Sequence, residues 1–223
     1  MKNSGAKFFI HSNYLNDFKK LPWHLPLEEW EPDKVGFIDF RKGLSRHTVK
    51  FIKRRSGSFA IKETTEQKAK YEAALESVGN SDSTFVLDAG CGTGLLFDYI
   101  TNRAKTIVGL DISRKTLLVA KEYAKAFSNV HLVCADVDCM PFGEKLFSHV
   151  YAMTLIQNSP NPLVTLQEII RVSKNNVVIV VTGLKKAFSL ESFRKLLQSA
   201  GLQLVSLEDA DALKCYVATT VRN

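Results

Sequence analysis

The chain is predicted to fold as an α/β domain. Its core is a doubly wound, mostly parallel sheet of seven strands, with a basic, aromatic-rich N-terminal extension before it. Three observations predict this class. From Thr84 onward, short apolar runs alternate with helical stretches that begin at capping residues, the pattern of a parallel sheet covered by helices. The first apolar run enters Val86-Leu87-Asp88-Ala89-Gly90-Cys91-Gly92-Thr93-Gly94, with three glycines at alternate positions before Leu95 and Leu96 open a helix. A strand, a glycine turn and a helix start make a nucleotide-type binding loop. Asp88, Asp111 and Asp136 end or follow the first three strands, where a doubly wound sheet binds its ligand.

A chain of 223 residues accommodates one such domain and an extension. Apolar residues make up 45 %, enough for a proper core. No apolar run approaches the roughly 20 residues of a membrane span, and the N-terminus shows no signal-peptide pattern. Cys91, Cys134, Cys139 and Cys215 form no CxxC pair, and Cys134 and Cys139 have no second pair to complete a metal site. They read as reduced, mostly buried thiols of a cytoplasmic protein, with no metal. The net charge is +7. Residues 41–70 hold ten basic side chains against Glu63 and Glu66, a net +8 in that window. Such a concentration suggests a polyanionic partner.

Taken in order, residues 1–63 read as the extension and 64–223 as the main domain. Residues 1–40 are dense in aromatics and broken by Pro22, Pro26 and Pro32. They read as short helical pieces that anchor an arm to the domain or lid a substrate. Residues 47–63 alternate basic and apolar positions about an Arg54-Arg55-Ser56-Gly57 turn, which reads as a hairpin. Arg46, Lys50, Lys53, Arg54, Arg55 and Lys62 would form either a solvated face or an RNA contact. Thr64 and Gln67 fit a capping box that opens a helix ended by Gly79-Asn80.

Strand 84–88 comes next, then a helix over about 94–103 and strand 106–111. A helix follows, capped by Ser113 and running to Phe127. Strands 130–134 and 147–153, helix 162–173 and strand 177–181 continue the alternation. Ser189 caps a helix that Gly201 stops. Strands 202–207 and 214–221, joined by an acidic turn, close the sheet as an antiparallel pair.

Asp111 lies 23 residues after Asp88, the range in which an acid accepts from ribose hydroxyls. The spacing is G-x-G-x-G, with Leu95 where a dinucleotide loop would place its third glycine. Residues 86–94 resemble motif I of class I S-adenosylmethionine-dependent methyltransferases. Ile107-Val108-Gly109-Leu110-Asp111-Ile112-Ser113 resembles the second motif, and Cys134-Ala135-Asp136-Val137-Asp138-Cys139-Met140-Pro141-Phe142 the third. Leu155-Ile156-Gln157-Asn158 and Gln167-Glu168-Ile169-Ile170-Arg171-Val172 resemble later motifs of the UbiE-like branch. The resemblance covers about 84–223 and implies strand order 3-2-1-4-5-7-6.

It further implies S-adenosyl-L-methionine as cofactor. Gly90, Cys91, Gly92 and Gly94 would form the turn beside its methionine part, with Asp88 supporting the turn or reaching the ammonium. Asp111 would hold the ribose and Ile112 would pack on adenine. Asp136 and Val137 would meet the adenine edge, and Thr154 and Gln157 the sulfonium side. Displacement at a methyl carbon already activated by cationic sulfur needs positioning and desolvation more than a strong base.

The acceptor is less sharply indicated. Asn158 and Pro160 echo the motif with which base-amino methyltransferases hold an exocyclic amine, though Ser159 intervenes and the stacking aromatic is absent. Asn158 would accept from such an amine, or else, with Ser159, cap the next helix. No cysteine lies where carbon-5 pyrimidine chemistry needs a nucleophile. The first expectation is methylation of an RNA base (rRNA or tRNA) at an exocyclic nitrogen such as cytidine N4. The alternatives are a quinone, lipid or metabolite methyltransferase, and a non-catalytic cofactor-binding subunit of a ribonucleoprotein.

Overall fold

The computed structural model describes residues 38–39, 65–78 and 83–222. The arm, the hairpin 47–63 and the Thr64 cap lie outside the described residues, apart from a two-residue strand β1, Ile38–Asp39. Beyond it come α1 (Thr65–Val78), β2 (Ser83–Ala89), α2 (Phe97–Ile100), β3 (Ala104–Asp111), α3 (Arg114–Ala124) and β4 (Val130–Cys134). The second half holds β5 (Phe147–Ala152), α4 (Pro162–Val172), β6 (Ser173–Leu184), α5 (Leu190–Ser199), β7 (Leu202–Glu208) and β8 (Cys215–Arg222).

The sheet order is β1-β4-β3-β2-β5-β6-β8-β7. Counted from β2, this is the expected seven-strand order 3-2-1-4-5-7-6, parallel except for β8, which runs antiparallel to β6 and β7. The addition at the edge is β1. Ile38 and Asp39 pair in parallel with Val133 and Cys134, in a segment read from sequence as short helical pieces.

β2 and β3 lie in the middle and are apolar on both faces, as a sheet covered on two sides requires. Val86, Leu87, Ile107 and Val108 are all buried. One core lies on the side of α4 and α5, around Phe142, Phe147, Leu166, Ile169 and Phe193. The other lies under α1 and α3, around Tyr71, Leu75, Phe97, Leu117 and Ala120.

Three local differences from the sequence reading matter for the site. The helix expected over 94–103 is a single turn, Phe97–Ile100, followed by a 3-10 turn at Thr101–Arg103. The chain spends 91–97 on two tight turns, Gly94 N donating to Cys91 O and Phe97 N to Gly94 O. The Asn129 amide then donates to Thr101 O and Ala104 O and ends the segment. Phe97 is fully buried against Gly94 and Gly109. A Cβ on Gly109 would sit 2.8 Å from the Phe97 ring and 3.0 Å from Leu132, so glycine in mid-strand here admits the ring.

The fifth strand of the domain was read as 177–181 and extends over Ser173–Leu184. Its polar start looks like a loop in sequence, yet Ser173 pairs with Phe147. A bulge follows, with Asn176 in the left-handed region at φ 56°, a conformation Asn tolerates.

The third difference concerns the Gln167–Val172 stretch, which has a visible structural task. Arg171 donates to the Met140 and Phe142 carbonyls and pairs with Glu168, while Glu168 accepts from Met140 N at 2.7 Å. That pair ties α4 to the loop after β4, which carries Asp136.

Candidate active site

A cavity of about 820 Å³ lies at the carboxyl ends of β2, β3, β4 and β5. α1 and the chain around Leu184 and Cys215 close its other side. The glycine turn is pinned by backbone bonds, since Gly90 N and Cys91 N both donate to Leu110 O, at 2.7 and 2.9 Å. Gly92 sits at φ 57°, and a Cβ there would meet nothing within 4 Å, so its backbone faces open space. Because α2 is one turn long, the anion-attracting helix terminus expected behind the turn is slight. The exposed backbone of the turn is what the site offers.

Two acids stand behind it. Asp111 Oδ2 accepts from Gly92 N at 3.0 Å and Oδ1 from Ser113 N at 2.7 Å. The same carboxylate thus fixes the turn and the start of α3, where Ser113 caps as expected. Burial raises the Asp111 carboxyl, and its backbone hydrogen bonds oppose that rise. Asp88 is 2 % exposed and lines the cavity, and its Oδ2 has no partner among the described residues. Burial, and then the Asp111 charge, push its carboxyl up to about 8. A buried oxygen without a donor is expensive unless a ligand supplies one.

Asp136 Oδ1 accepts from Asp138 N, which shapes the next turn, and Val137 lines the cavity beside it. Ile112 lines the cavity from the end of β3. Gly94 does not line it and instead packs on Phe97. Cys91 does line it, but burial and the nearby acids hold its thiol well above the ordinary value, so it is no thiolate nucleophile.

Beside the turn, Leu155 packs on Gly90, and Thr154 before it, just past β5, stands at φ 57°. Thr154 N donates to Thr182 Oγ1 at 2.6 Å, and its carbonyl accepts from Asn158 Nδ2 at 2.8 Å. Asn158, which lines the cavity, thus spends its amide nitrogen on the backbone. The capping role considered for Asn158 and Ser159 belongs to Asn161, which accepts from Val164 N. Gln157 and Pro160 also line the cavity. Both polar atoms of the Gln157 amide are buried without a partner among the described residues.

Arg46, Lys50, Lys53, Arg54, Arg55 and Lys62 lie outside the described residues. Two other members of the basic window are described, one exposed and one buried. Lys68 stands 3.8 Å from Glu72, and Lys70 is 5 % exposed and lines the cavity, its Nζ donating to Thr154 Oγ1 at 2.8 Å. The sequence reading did not place Lys70, Tyr71, Leu184 or Cys215 at the site. Lys70 lies one turn from Ala74 on the buried face of α1, a face that the structure identifies. Among the described residues, no group of three histidines, cysteines or acids is placed to hold a metal ion.

A family model described as "Methyltransferase domain" matches residues 87–181. The chain is 31 % identical over 122 residues to a malonyl-[acyl-carrier protein] O-methyltransferase of Marinomonas sp. (strain MWYL1), covering 54 % of this chain and 45 % of that protein. It is 35 % identical over 97 residues to a demethylmenaquinone methyltransferase of Staphylococcus haemolyticus (strain JCSC1435), covering 42 % and 41 %. The chain therefore spans less than half the length of these relatives. In fold it is similar to the N-methyltransferase NodS of Bradyrhizobium japonicum WM9, solved with S-adenosyl-l-homocysteine. That likeness has a TM-score of 0.64 at 11 % identity and covers 79 % of this chain and 97 % of NodS.

Fold, motif order and site define a nucleotide-type crevice of the class I methyltransferase kind. Residues 87–181 match that methyltransferase-domain model, and the match supports a class I S-adenosylmethionine-dependent methyltransferase domain there, with S-adenosyl-L-methionine as its cofactor. The residues present fit it. Asp88 offers an orphaned oxygen, Gly92 an open backbone cradle, and Asp111 a carboxylate at the neighbouring strand end.

Proposed function

We propose that this chain transfers a methyl group from S-adenosyl-L-methionine to a small molecule held in the same cavity. The observation that carries the reading is the partnerless Asp88 oxygen, buried beside an open glycine turn. It suits the ammonium end of the cofactor, whose charge would compensate a buried carboxylate. Asp111, already oriented by Gly92 and Ser113, would accept from the ribose hydroxyls. Asp136, Val137 and Ile112 would meet the adenine, and Thr154 and Gln157 the sulfonium side. When bound, the cofactor supplies a methyl carbon on cationic sulfur.

The protein's own task is then to align an acceptor and exclude water. A cavity of about 820 Å³ falls within the range of small-molecule sites, roughly 300–1,000 Å³. The malonyl-[acyl-carrier protein] and demethylmenaquinone enzymes among the relatives are named for acceptors other than RNA.

A second reading, transfer to an RNA base, rests on the net +8 of residues 41–70 and on Asn158, which lines the cavity. Its support is reduced by the burial of Lys70. One experiment separates the readings. Tritiated methyl transfer is followed into small-molecule and total-RNA fractions, alongside calorimetry of S-adenosylhomocysteine binding. Label in the small-molecule fraction is expected. Label in RNA, lost when Lys53, Arg54 and Arg55 are reversed, would establish the second reading, and absence of cofactor binding would remove both.

A further inference from the structure

We propose that Asp138 is a positioning residue for the cofactor's purine: it aims the Asp136 carboxylate at the 6-amino group, and is itself held from α4 and from the loop after β5. The inference rests on the methyl-transfer reading above and deepens it by naming a residue that sets its choice of purine. Asp136, Val137 and Asp138 follow β4 along the cavity. Asp138 N donates to Asp136 Oδ1 at 3.0 Å. A bond from a carboxylate to the backbone two residues on is an Asx turn, which fixes the side chain against its own main chain. It uses one oxygen of Asp136 and leaves the second for a donor in the cavity.

The carboxylate of Asp138 is itself tied down. Its Oδ1 accepts from Thr165 Oγ1, a fully buried hydroxyl on α4. Thr165 Oγ1 lies 2.6 Å from Ser159 Oγ, and Ser159 Oγ accepts from Asn161 N at 3.2 Å. A hydroxyl has one proton to give and an ionised carboxylate has none. The Asn161 carbonyl is 3.3 Å from the same Thr165 hydroxyl, but a carboxylate is the stronger acceptor. The Thr165 proton therefore goes to Asp138, and Ser159 donates to that pair. Burial raises the Asp138 carboxyl, and the Thr165 hydroxyl opposes the rise.

Asp138 thus joins the purine-side acid to α4 and to the Ser159–Pro160 side of the cavity. The ends of its loop have separate anchors. Ala135 N donates to Asp111 O at 3.2 Å, and Met140 N to Glu168 Oε1 at 2.7 Å. Between them, the bond from Thr165 holds the middle of the loop, where Asp136 must be oriented. Telling a 6-amino group from a 6-oxo group is a matter of direction. The amine donates to a carboxylate, whereas a carbonyl oxygen in its place meets it acceptor to acceptor. Such selection requires a side chain held to within roughly 0.5 Å and 10–20°.

The test compares S-adenosylhomocysteine with its 6-oxo analogue, S-inosylhomocysteine, by calorimetry on the full chain. Wild type is expected to favour the amine by about 10–100-fold, the worth of one charge-assisted hydrogen bond. Asp138→Ala and Thr165→Val are each expected to cut that ratio about fivefold or more, chiefly by weakening the amine. Asp138→Asn keeps an oxygen for the Thr165 hydroxyl and should fall between wild type and Asp138→Ala. A merely structural role would weaken both ligands alike and leave the ratio at its wild-type value. Asp136→Asn should remove the discrimination, and Asp138→Ala added to it should change the ratio no further. Thr165→Val keeps the buried shape and carries the test should Asp138→Ala not fold.

An unchanged ratio in either folded variant overturns the proposal. So do additive effects of Asp136→Asn and Asp138→Ala on the ratio, which would place Asp138 on the purine itself. A wild-type chain that binds both ligands equally well overturns it while leaving the methyl-transfer reading standing. A wild-type chain that binds neither refutes that reading, and the role of Asp138 with it.

Discussion

The two walls of the cavity are assembled in different ways. One consists of the glycine turn, Asp111 and Asp136, from three neighbouring strand ends, each fixed by backbone bonds. Leu110 O holds Gly90 and Cys91, and Asp111 holds Gly92 and Ser113. The other joins Lys70 of α1, Thr154 after β5 and Cys215 of β8, which meet only because α1 packs against the sheet beside β8. A wall built from local backbone geometry suits a ligand common to many enzymes. A wall built from distant side chains can change without disturbing the backbone bonds of the turn. Substitutions in the two walls should therefore differ in what they cost the turn.

The largest expected effect is on the first wall. Asp111→Ala removes two charge-assisted backbone bonds and any ribose contact, each worth about 1.5–3 kcal/mol. Calorimetry should show S-adenosylhomocysteine binding weakened by at least about 100-fold. If affinity holds within a few-fold, the glycine turn does not depend on that carboxylate and the contrast between the walls weakens.

Asp88→Asn sharpens the comparison through pH. Burial raises the carboxyl from its ordinary value of 3.8 to about 8 in the folded protein. The native state therefore holds the proton more tightly than the unfolded state. Its contribution to stability is complete below about pH 4 and is lost as pH rises towards 8. The ligand-free variant should accordingly gain in Tm relative to wild type across that window, by up to about 1.4 kcal/mol per pH unit. The gain should level off above pH 8. It should also lose the rise in cofactor affinity that wild type shows as Asp88 ionises. Parallel thermal melts and calorimetry at several pH values check both halves.

Gly109→Ala tests how the turn is supported from below. Its Cβ would press on Phe97 at 2.8 Å, and overpacking of this kind costs about 1–3 kcal/mol. Chemical denaturation should register that loss, with cofactor affinity falling because Phe97 also packs against Gly94. Ser113→Ala should show the smallest effect, about 1 kcal/mol from a lost cap, with acceptor kinetics unchanged at saturating cofactor.

Much of the first wall was legible beforehand. Asp88, Gly90, Gly92, Asp111 and Ser113 stand where the strand–turn–helix pattern placed them, because each role depends on a strand end or a local cap. The helix after Gly94 was overread. Leu95 and Leu96 look helical, but two tight turns consume the chain up to Phe97, and the Asn129 amide ends the segment after the single turn Phe97–Ile100. The polar start of β6 was missed because Ser173–Asn176 carries no apolar alternation, and only its pairing with β5 makes it strand. Lys70 was counted as surface charge. Charge alone does not tell which face of α1 turns inward; the burial of Ala74 and Leu75 does.

The sequence by itself determined the α/β class, the seven-strand order, the methyl donor's class and the acids at the first three strand ends. The class and the acids follow from periodicity and from motifs a few residues long, whereas the strand order and the methyl donor follow from the family resemblance those motifs carry. Only the tertiary structure decided that the Asp88 oxygen lacks a partner among the described residues, that Asn158 binds backbone, and that Lys70 enters the cavity to reach Thr154. Such facts depend on which groups packing brings within hydrogen-bond distance and which it leaves away from water, and neither is encoded in the spacing along the chain.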